Sequence, residues 1–271
     1  MSKIAVTGAT GVVGRSLIEN LSRDHKTIGI DLRDADVIAD VRDLGQMEHA
    51  FVGCTSVVHL AAISDVAASW GDVHETNIVG TYNVFEAARR AGVKRVIFAS
   101  SNHVVGTHEV EGGRPLYEAG ANVLIRADDP PRPDSLYGVG KAFGEALGRY
   151  YSDAFGMQVT CVRIGSILAG DSPADPNLKL PAFLPKLKAE DVRARYAATW
   201  MSKRDFARLV RAIIERDVAF AVVYGVGDNL TRFWDLEPGR AIFGFWPLDG
   251  TRALSTAPPD RAHATSPSSN R

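Results

Sequence analysis

The sequence predicts an α/β fold, a doubly wound parallel sheet of the dinucleotide-binding kind with a small C-terminal substrate-binding region. Three observations carry this prediction. Residues Lys3 to Gly14, KIAVTGATGVVG, run a short apolar strand into a turn with glycines at 8, 11 and 14. Apolar strand-like runs then alternate with segments of helical spacing, the pattern of βαβ units whose strands are covered on both faces. Finally, the second apolar run, Thr27 to Ile30, ends in Asp31, about 20 residues into the unit, where a carboxylate would meet a ribose.

In such a turn the glycines permit the tight bend, the approach of backbone to pyrophosphate and the packing of helix on strand. The helix that follows directs its N-terminal amides at the phosphates. Gly8, Thr10, Gly11, Val12, Val13 and Gly14 are therefore candidate cofactor contacts. Glycines at this spacing are weak evidence alone, but Val12, Val13 and Leu17 supply the helix face that should follow. Asp31, with Leu32 beside it, can accept from a ribose 2′-hydroxyl and would repel a 2′-phosphate, so NAD is expected over NADP. Arg15 and Arg33 are read as solvated surface residues.

The remaining elements follow in order. Val37 to Ala39 is a short strand closed by Asp40 and Val41, which either meet the adenine edge or are an ordinary loop. Asp43 to Val52 is helical, and Ser56 to Leu60 is a strand opening into Ala61 and Ala62, small enough for a cofactor to lie close. Ile78, Tyr82, Phe85 and Ala88 mark a helix over 73–91, followed by a buried strand from Lys94 to Ser100. Ligands of such sheets lie at the carboxyl ends of the strands, where Gly8, Ala61, Ser100 and Ser101 are placed.

Tyr137 and Lys141 stand four apart on a helix expected over 134–155 and so share one face. An ammonium near a phenol lowers its pKa from about 10 toward neutrality, which makes the phenolate a credible general base. Ser101, at the end of a neighbouring strand, can hold the same substrate oxygen. Gly140, Gly144 and Gly148 also share a face of this helix, as either a subunit contact or a tight contact within the chain. Further on, Ser202 and Asp205 form an S-x-x-D capping box before the stripe Phe206, Leu209, Val210 and Ile213. Phe220 to Tyr224 is a late strand and Trp234 to Phe243 a helix.

At 271 residues, 45% hydrophobic, the chain can bury a large core. Lysine and arginine total 31 against 32 acids, so no electrostatic footprint for nucleic acid or an anionic membrane is present. The partner is a small molecule. Cys54 and Cys161 adjoin apolar runs and read as buried small hydrophobes in a reducing compartment; no metal-ligand spacing occurs. With no signal sequence and no apolar run near the roughly 20 residues of a membrane span, a cytoplasmic location is expected. The domain reading is a dinucleotide-binding domain over 1–165, a substrate region over 166–251 and a disordered tail over 252–271, where Pro, Ser and Ala replace large apolar residues.

TGATGVVG, Asp31, FASSNHVVG and YGVGK together resemble the extended short-chain dehydrogenase/reductase family across nearly the whole chain. Within it, SSNH (100–103), VRIGS (162–166) and RYAATWMSKRDF (195–206) are similar to uronate dehydrogenases and to NAD-dependent glucose-6-phosphate dehydrogenases. The resemblance implies Tyr137 as base with Lys141 and Ser101 as partners. It implies Ser64, Asn102, His103, Ser166 and Arg195 as sugar contacts, and adds Leu60, Asn77, Ser100 and Ile164 to the cofactor contacts. The activity implied is NAD-dependent oxidation of a sugar at C1 to a lactone, with a hexuronate first and glucose 6-phosphate or a free aldose as alternatives. A nucleotide-sugar epimerase or dehydratase and a non-catalytic dinucleotide sensor are the readings outside sugar oxidation. Homo-oligomers through helices 73–91 and 134–155 are expected. The 28 residues from Ile167 to Ala194, with Lys179, Lys186, Lys188 and Arg193, exceed what uronate dehydrogenases carry there.

Overall fold

The structure, a computed structural model, describes residues 2–176, 178 and 187–251. Seven strands, β1 (Lys3–Thr7), β2 (Lys26–Asp31), β3 (Val37–Ile38), β4 (Ser56–His59), β5 (Arg95–Ser101), β6 (Gln158–Ile164) and β7 (Phe220–Gly225), form one sheet. Their order is β3-β2-β1-β4-β5-β6-β7, and every pairing is parallel. The winding reverses between β1 and β4, which opens a crevice at their carboxyl ends.

Alternation along β1 divides the core between the two faces of this Rossmann sheet. Ile4 and Val6 point to one face, where Leu17 and Leu21 of the helix Val12–Leu21 meet Phe206, Leu209 and Val210 of the helix Lys203–Ile214. Ala5 points to the other, covered by the helices Leu44–Ala50, Gly80–Arg90 and Leu136–Phe155 through Met47, Phe85 and Tyr151. A third cluster, from Val104, Leu116 and Tyr117 to Tyr224, Phe233 and Trp234, lies under the far wall of the crevice. Residues after 165 thus extend the same sheet and cover its first helix as well as building that wall.

Several sequence expectations are corrected here. The helix expected over 73–91 is present and begins a turn earlier, running unbroken from Trp70 to Arg90 with its stretch Val73–Val79 in the wider π form. Periodicity sees the apolar face but not a locally widened turn. Trp234 is not helical: it bridges Ile125, and the helix begins at Glu237 with proline in its first turn, where a missing amide costs nothing. The capping box is half made. Ser202 accepts from the Asp205 amide at 3.0 Å, but the Asp205 carboxylate accepts from Arg208 and the Asp249 amide.

The glycine face of the helix Leu136–Phe155 is a contact within the chain. A Cβ on Gly144 would lie 2.2 Å from the Phe98 ring, and one on Gly148 would lie 2.8 Å from Val159. The subunit reading of that stripe is therefore excluded, although Tyr82, Val139 and Tyr150 on the outward faces of the two helices are exposed. Cys54 and Cys161 are buried thiols. No helix among the described residues is long and apolar enough to cross a membrane, and no cluster of three or more metal-ligating side chains occurs among them. The tail 252–271, Lys179 and Lys186 lie outside the described residues; Lys188 is exposed beside Glu190.

Candidate active site

The crevice is a cleft of about 1170 Å³ running over the carboxyl ends of the central strands. Every residue expected to touch cofactor or sugar lines it except Asn77. Asn77 is 2% exposed; its amide donates to the Ile63 carbonyl and accepts from the Ile63 amide, at 3.0 and 2.8 Å. Through these two bonds it holds the loop after β4.

At one end of the cleft the glycine turn is as tight as the sequence implies. Gly8 has φ +72°, and a Cβ there would stand 2.7 Å from the Ala61 amide, so β1 and β4 end in backbone contact. A Cβ on Gly14 would lie 2.2 Å from the Gly8 carbonyl oxygen, whereas one on Gly11 would keep 3.4 Å. Gly14 is therefore required by the protein and Gly11 by whatever the helix N-terminus faces. Gly14→Ala is expected to lower stability by roughly 1–3 kcal/mol even without ligand, while Gly11→Ala leaves the melting temperature nearly unchanged and weakens NAD binding. Melting curves with and without NAD check this; equal losses in the unliganded protein would overturn it.

Asp31 lies where a ribose would. Its carboxylate accepts from the Thr10 amide and hydroxyl at 2.9 and 2.7 Å and from the Leu32 amide at 2.8 Å. Burial pushes its pKa up, but these hydrogen bonds and the charge of Arg33 outweigh burial and hold it below the ordinary carboxylate range. It is an anion at neutral pH. Asp40 pairs with Arg42 at 2.6 Å, and both line the cleft beside Val41. A cradle closed to any larger residue, an amide-presenting helix end and a fixed carboxylate suit a dinucleotide without a 2′-phosphate.

At the other end, Ser135 caps the helix Leu136–Phe155, accepting from the Gly138 amide at 3.1 Å, and places Tyr137 and Lys141 on its inner face. Gly138 lets that helix start against His103, whose carbonyl would be 2.4 Å from a Cβ. Tyr137 is buried, which pushes its hydroxyl up to about 12 against a hydrogen bond with Ser101 that acts the other way. Lys141 donates to the Ala99 carbonyl at 2.7 Å, and its nitrogen is 5.7 Å from the centre of the Tyr137 ring. Burial lowers Lys141 to about 7. The expectation that the ammonium draws the phenol toward neutrality is thus not met by Tyr137 singly, because desolvation opposes the charge on both groups.

The other side chains of this end are fixed by partners the sequence does not announce. His103 Nδ1 is 2.8 Å from Asp134, and Asp134 fits only because position 106 is glycine, where a Cβ would fall 1.8 Å from its carboxylate. Ser166 Oγ is 2.8 Å from the Thr199 hydroxyl. The Ser100 hydroxyl is turned to Glu145, which also pairs with Arg163 at 2.9 Å. Asn102 Nδ2 is a buried donor without a partner among the described residues, on the wall of the cleft. An orphaned buried donor is costly unless a ligand takes it up.

Arg195 is only 3% exposed. Its Nε and Nη2 donate to the two oxygens of Glu109 at 2.6 and 3.3 Å, and the Tyr117 hydroxyl donates to the same carboxylate at 2.6 Å. Glu109 lies on a short helix, Thr107–Gly112, in a stretch for which the sequence suggests no element. Only the chemical rule that a buried guanidinium needs a carboxylate could have found it, without saying which.

Comparison with known proteins follows the same lines. The chain is 39% identical to the L-arabinose 1-dehydrogenase (NAD(P)(+)) of Haloferax volcanii over 94% of this chain and 99% of that one. It is 33% identical to the NAD-dependent glucose-6-phosphate dehydrogenase of the same organism, covering 92% and 94%. The solved structure of a uronate dehydrogenase variant from Agrobacterium tumefaciens, complexed with NAD, superposes with a TM-score of 0.76 at 31% identity, covering 96% and 92%. The sequence profile of the NAD dependent epimerase/dehydratase family matches residues 4–225. With a glycine cradle and a ribose carboxylate suited to NAD, and a profile match over most of its length, the chain belongs to the NAD dependent epimerase/dehydratase family.

Proposed function

We propose that the chain is an NAD-dependent sugar dehydrogenase that oxidises C1 of a neutral aldose in its ring form to the lactone. Bound NAD supplies the hydride acceptor. Tyr137 takes the proton of the C1 hydroxyl as C1 loses hydride and its bond to oxygen becomes double. Ser101 holds that oxygen, Lys141 supplies the positive field beside the phenol, and Asn102 offers its unpaired donor to a ring hydroxyl. Asp31 selects NAD over NADP.

The observation that favours a neutral sugar is the ion pair of Arg195 with Glu109. A hexuronate is the substrate the sequence favours, with Arg195 gripping its carboxylate. Glu109 already engages that guanidinium two-pronged, so the arginine at the sugar end of the cleft brings no net charge for an acid to answer. The likeness to the L-arabinose enzyme agrees with this reading. The Arg195 to Trp200 segment and the likeness to uronate dehydrogenase keep a uronate as the second reading.

Appearance of NADH absorbance with free aldoses, uronates and hexose phosphates tests the proposal. The best neutral aldose is expected to exceed its matching uronate at least tenfold in kcat/KM, since about 1.4 kcal/mol corresponds to tenfold. A uronate oxidised tenfold better than its aldose would replace the first reading with the second.

A further inference from the structure

We propose that Glu109 determines the substrate class of the site, by occupying the carboxylate-binding edge of Arg195 from inside the protein and so excluding acidic sugars. The inference rests on the sugar-dehydrogenase reading and names the residue that sets its specificity.

The geometry is that of a substrate mimic built into the wall. Arg195 and Tyr196 line the cleft, whereas Glu109 and Tyr117 do not, so the carboxylate approaches the guanidinium from behind. It meets the Nε and Nη2 edge, one of the edges through which arginine takes a carboxylate with two parallel hydrogen bonds. Glu109 is 1% exposed, with Tyr117 donating to the oxygen that Nε also reaches. A second ion pair, Arg114 with Asp191 at 2.7 Å, ties the segment bearing Glu109 to the turn that leads into the helix of Arg195, so the opposition is held in register.

A buried pair of this kind is not needed for stability, since apolar residues of the same volume commonly do as well. What it changes is the field at the cleft wall. A sugar carboxylate brought to Arg195 would share one guanidinium with the carboxylate of Glu109 where water is scarce, and like charges so placed repel. A sugar hydroxyl carries no charge and meets no such opposition.

The test is Glu109→Gln, which keeps the length of the side chain and an oxygen for Tyr117 but removes the charge. An aldose and the uronate of the same stereochemistry are compared for kcat/KM, with kcat and KM resolved. Uronate efficiency is expected to rise ten- to a hundredfold, chiefly through a lower KM, and Glu109→Gln/Arg195→Met should lose that gain. A merely structural glutamate would depress both sugars together. Glu109→Asp, in case the first variant folds poorly, keeps the charge but draws it back, and should give a smaller gain of the same sign.

Binding provides a readout that turnover does not control. The uronate should raise the melting temperature of the NADH-loaded Glu109→Gln protein more than that of the unmodified one. If the unmodified chain oxidises no sugar, the functional reading fails while this comparison still decides the inference. If neither variant gains affinity or efficiency for the acid, Glu109 does not set specificity.

Discussion

Tyr137→Phe is expected to lower kcat on the order of 10²- to 10⁴-fold, the usual effect of removing a positioned general base, while leaving NAD binding nearly intact. The phenol lies at the sugar end of the cleft, far from the glycine turn that holds the other end of a dinucleotide, so its loss falls on proton transfer. The pH dependence separates this role from a structural one. Lys141 and Tyr137 are neighbours whose charged forms are both opposed by burial, which lowers Lys141 to about 7 and pushes Tyr137 up to about 12. Below about 7 the pair holds both protons and contains no base. Loss of the first, at the value of about 7 to which Lys141 is lowered, leaves one proton between the two, and the phenolate with ammonium is one arrangement of that state. Efficiency should therefore climb roughly tenfold per pH unit up to about neutrality and then level. The phenylalanine variant should lose that limb. A flat profile between about pH 5 and about pH 9 in the unmodified protein, or ordinary turnover by the variant, would rule out Tyr137 as the base.

The largest effect on stability is expected at Glu145. Its carboxylate accepts from Arg163 twice at 2.9 Å and from Ser100 at 2.6 Å, under the carboxyl ends of β5 and β6. Arg163 is 2% exposed and also reaches the Tyr224 hydroxyl at 3.3 Å. Burial works to lower the pKa of Arg163 but the Glu145 hydrogen bonds prevail, so the arginine stays charged. Glu145→Ala leaves that charge uncompensated in the core, at a cost of about 3–5 kcal/mol. For a chain of this size that is a fall in melting temperature on the order of 10 °C. Glu145→Leu with Arg163→Met should recover most of it, because no buried charge is then left alone. Thermal denaturation of the single and double variants decides the matter; a single-variant loss below about 1 kcal/mol would mean that water reaches the pair.

What could be read in the sequence is what local spacing encodes. Gly8, Gly11 and Gly14 mark a turn, Asp31 closes the strand that follows, and Tyr137 with Lys141 share a helix face; each relation spans about one βαβ unit or less. The partners that tune those groups are distant. Glu109 lies 86 residues from Arg195, and Asp134 lies 31 from His103. Any of the 32 acids could have served, since nothing in a carboxylate's own neighbourhood names its cation. Arg195 shows this most plainly, because an arginine read without its counter-ion looks like an anion site.

The packing of the helix Lys203–Ile214 on the helix Val12–Leu21 bears on how the chain is made. Leu17 and Leu21 pack on Ile4, Val6 and Val58 of the sheet, but the rest of their apolar cover, Phe206, Leu209 and Val210, lies nearly two hundred positions further along the chain. Such contacts close slowly, and the nascent chain meanwhile presents a greasy helix beside an unfinished parallel sheet. Arg211 reaches the Asn20 carbonyl across the same seam. The first helix of the cofactor cradle is therefore fully covered only once the helix Lys203–Ile214 is in place.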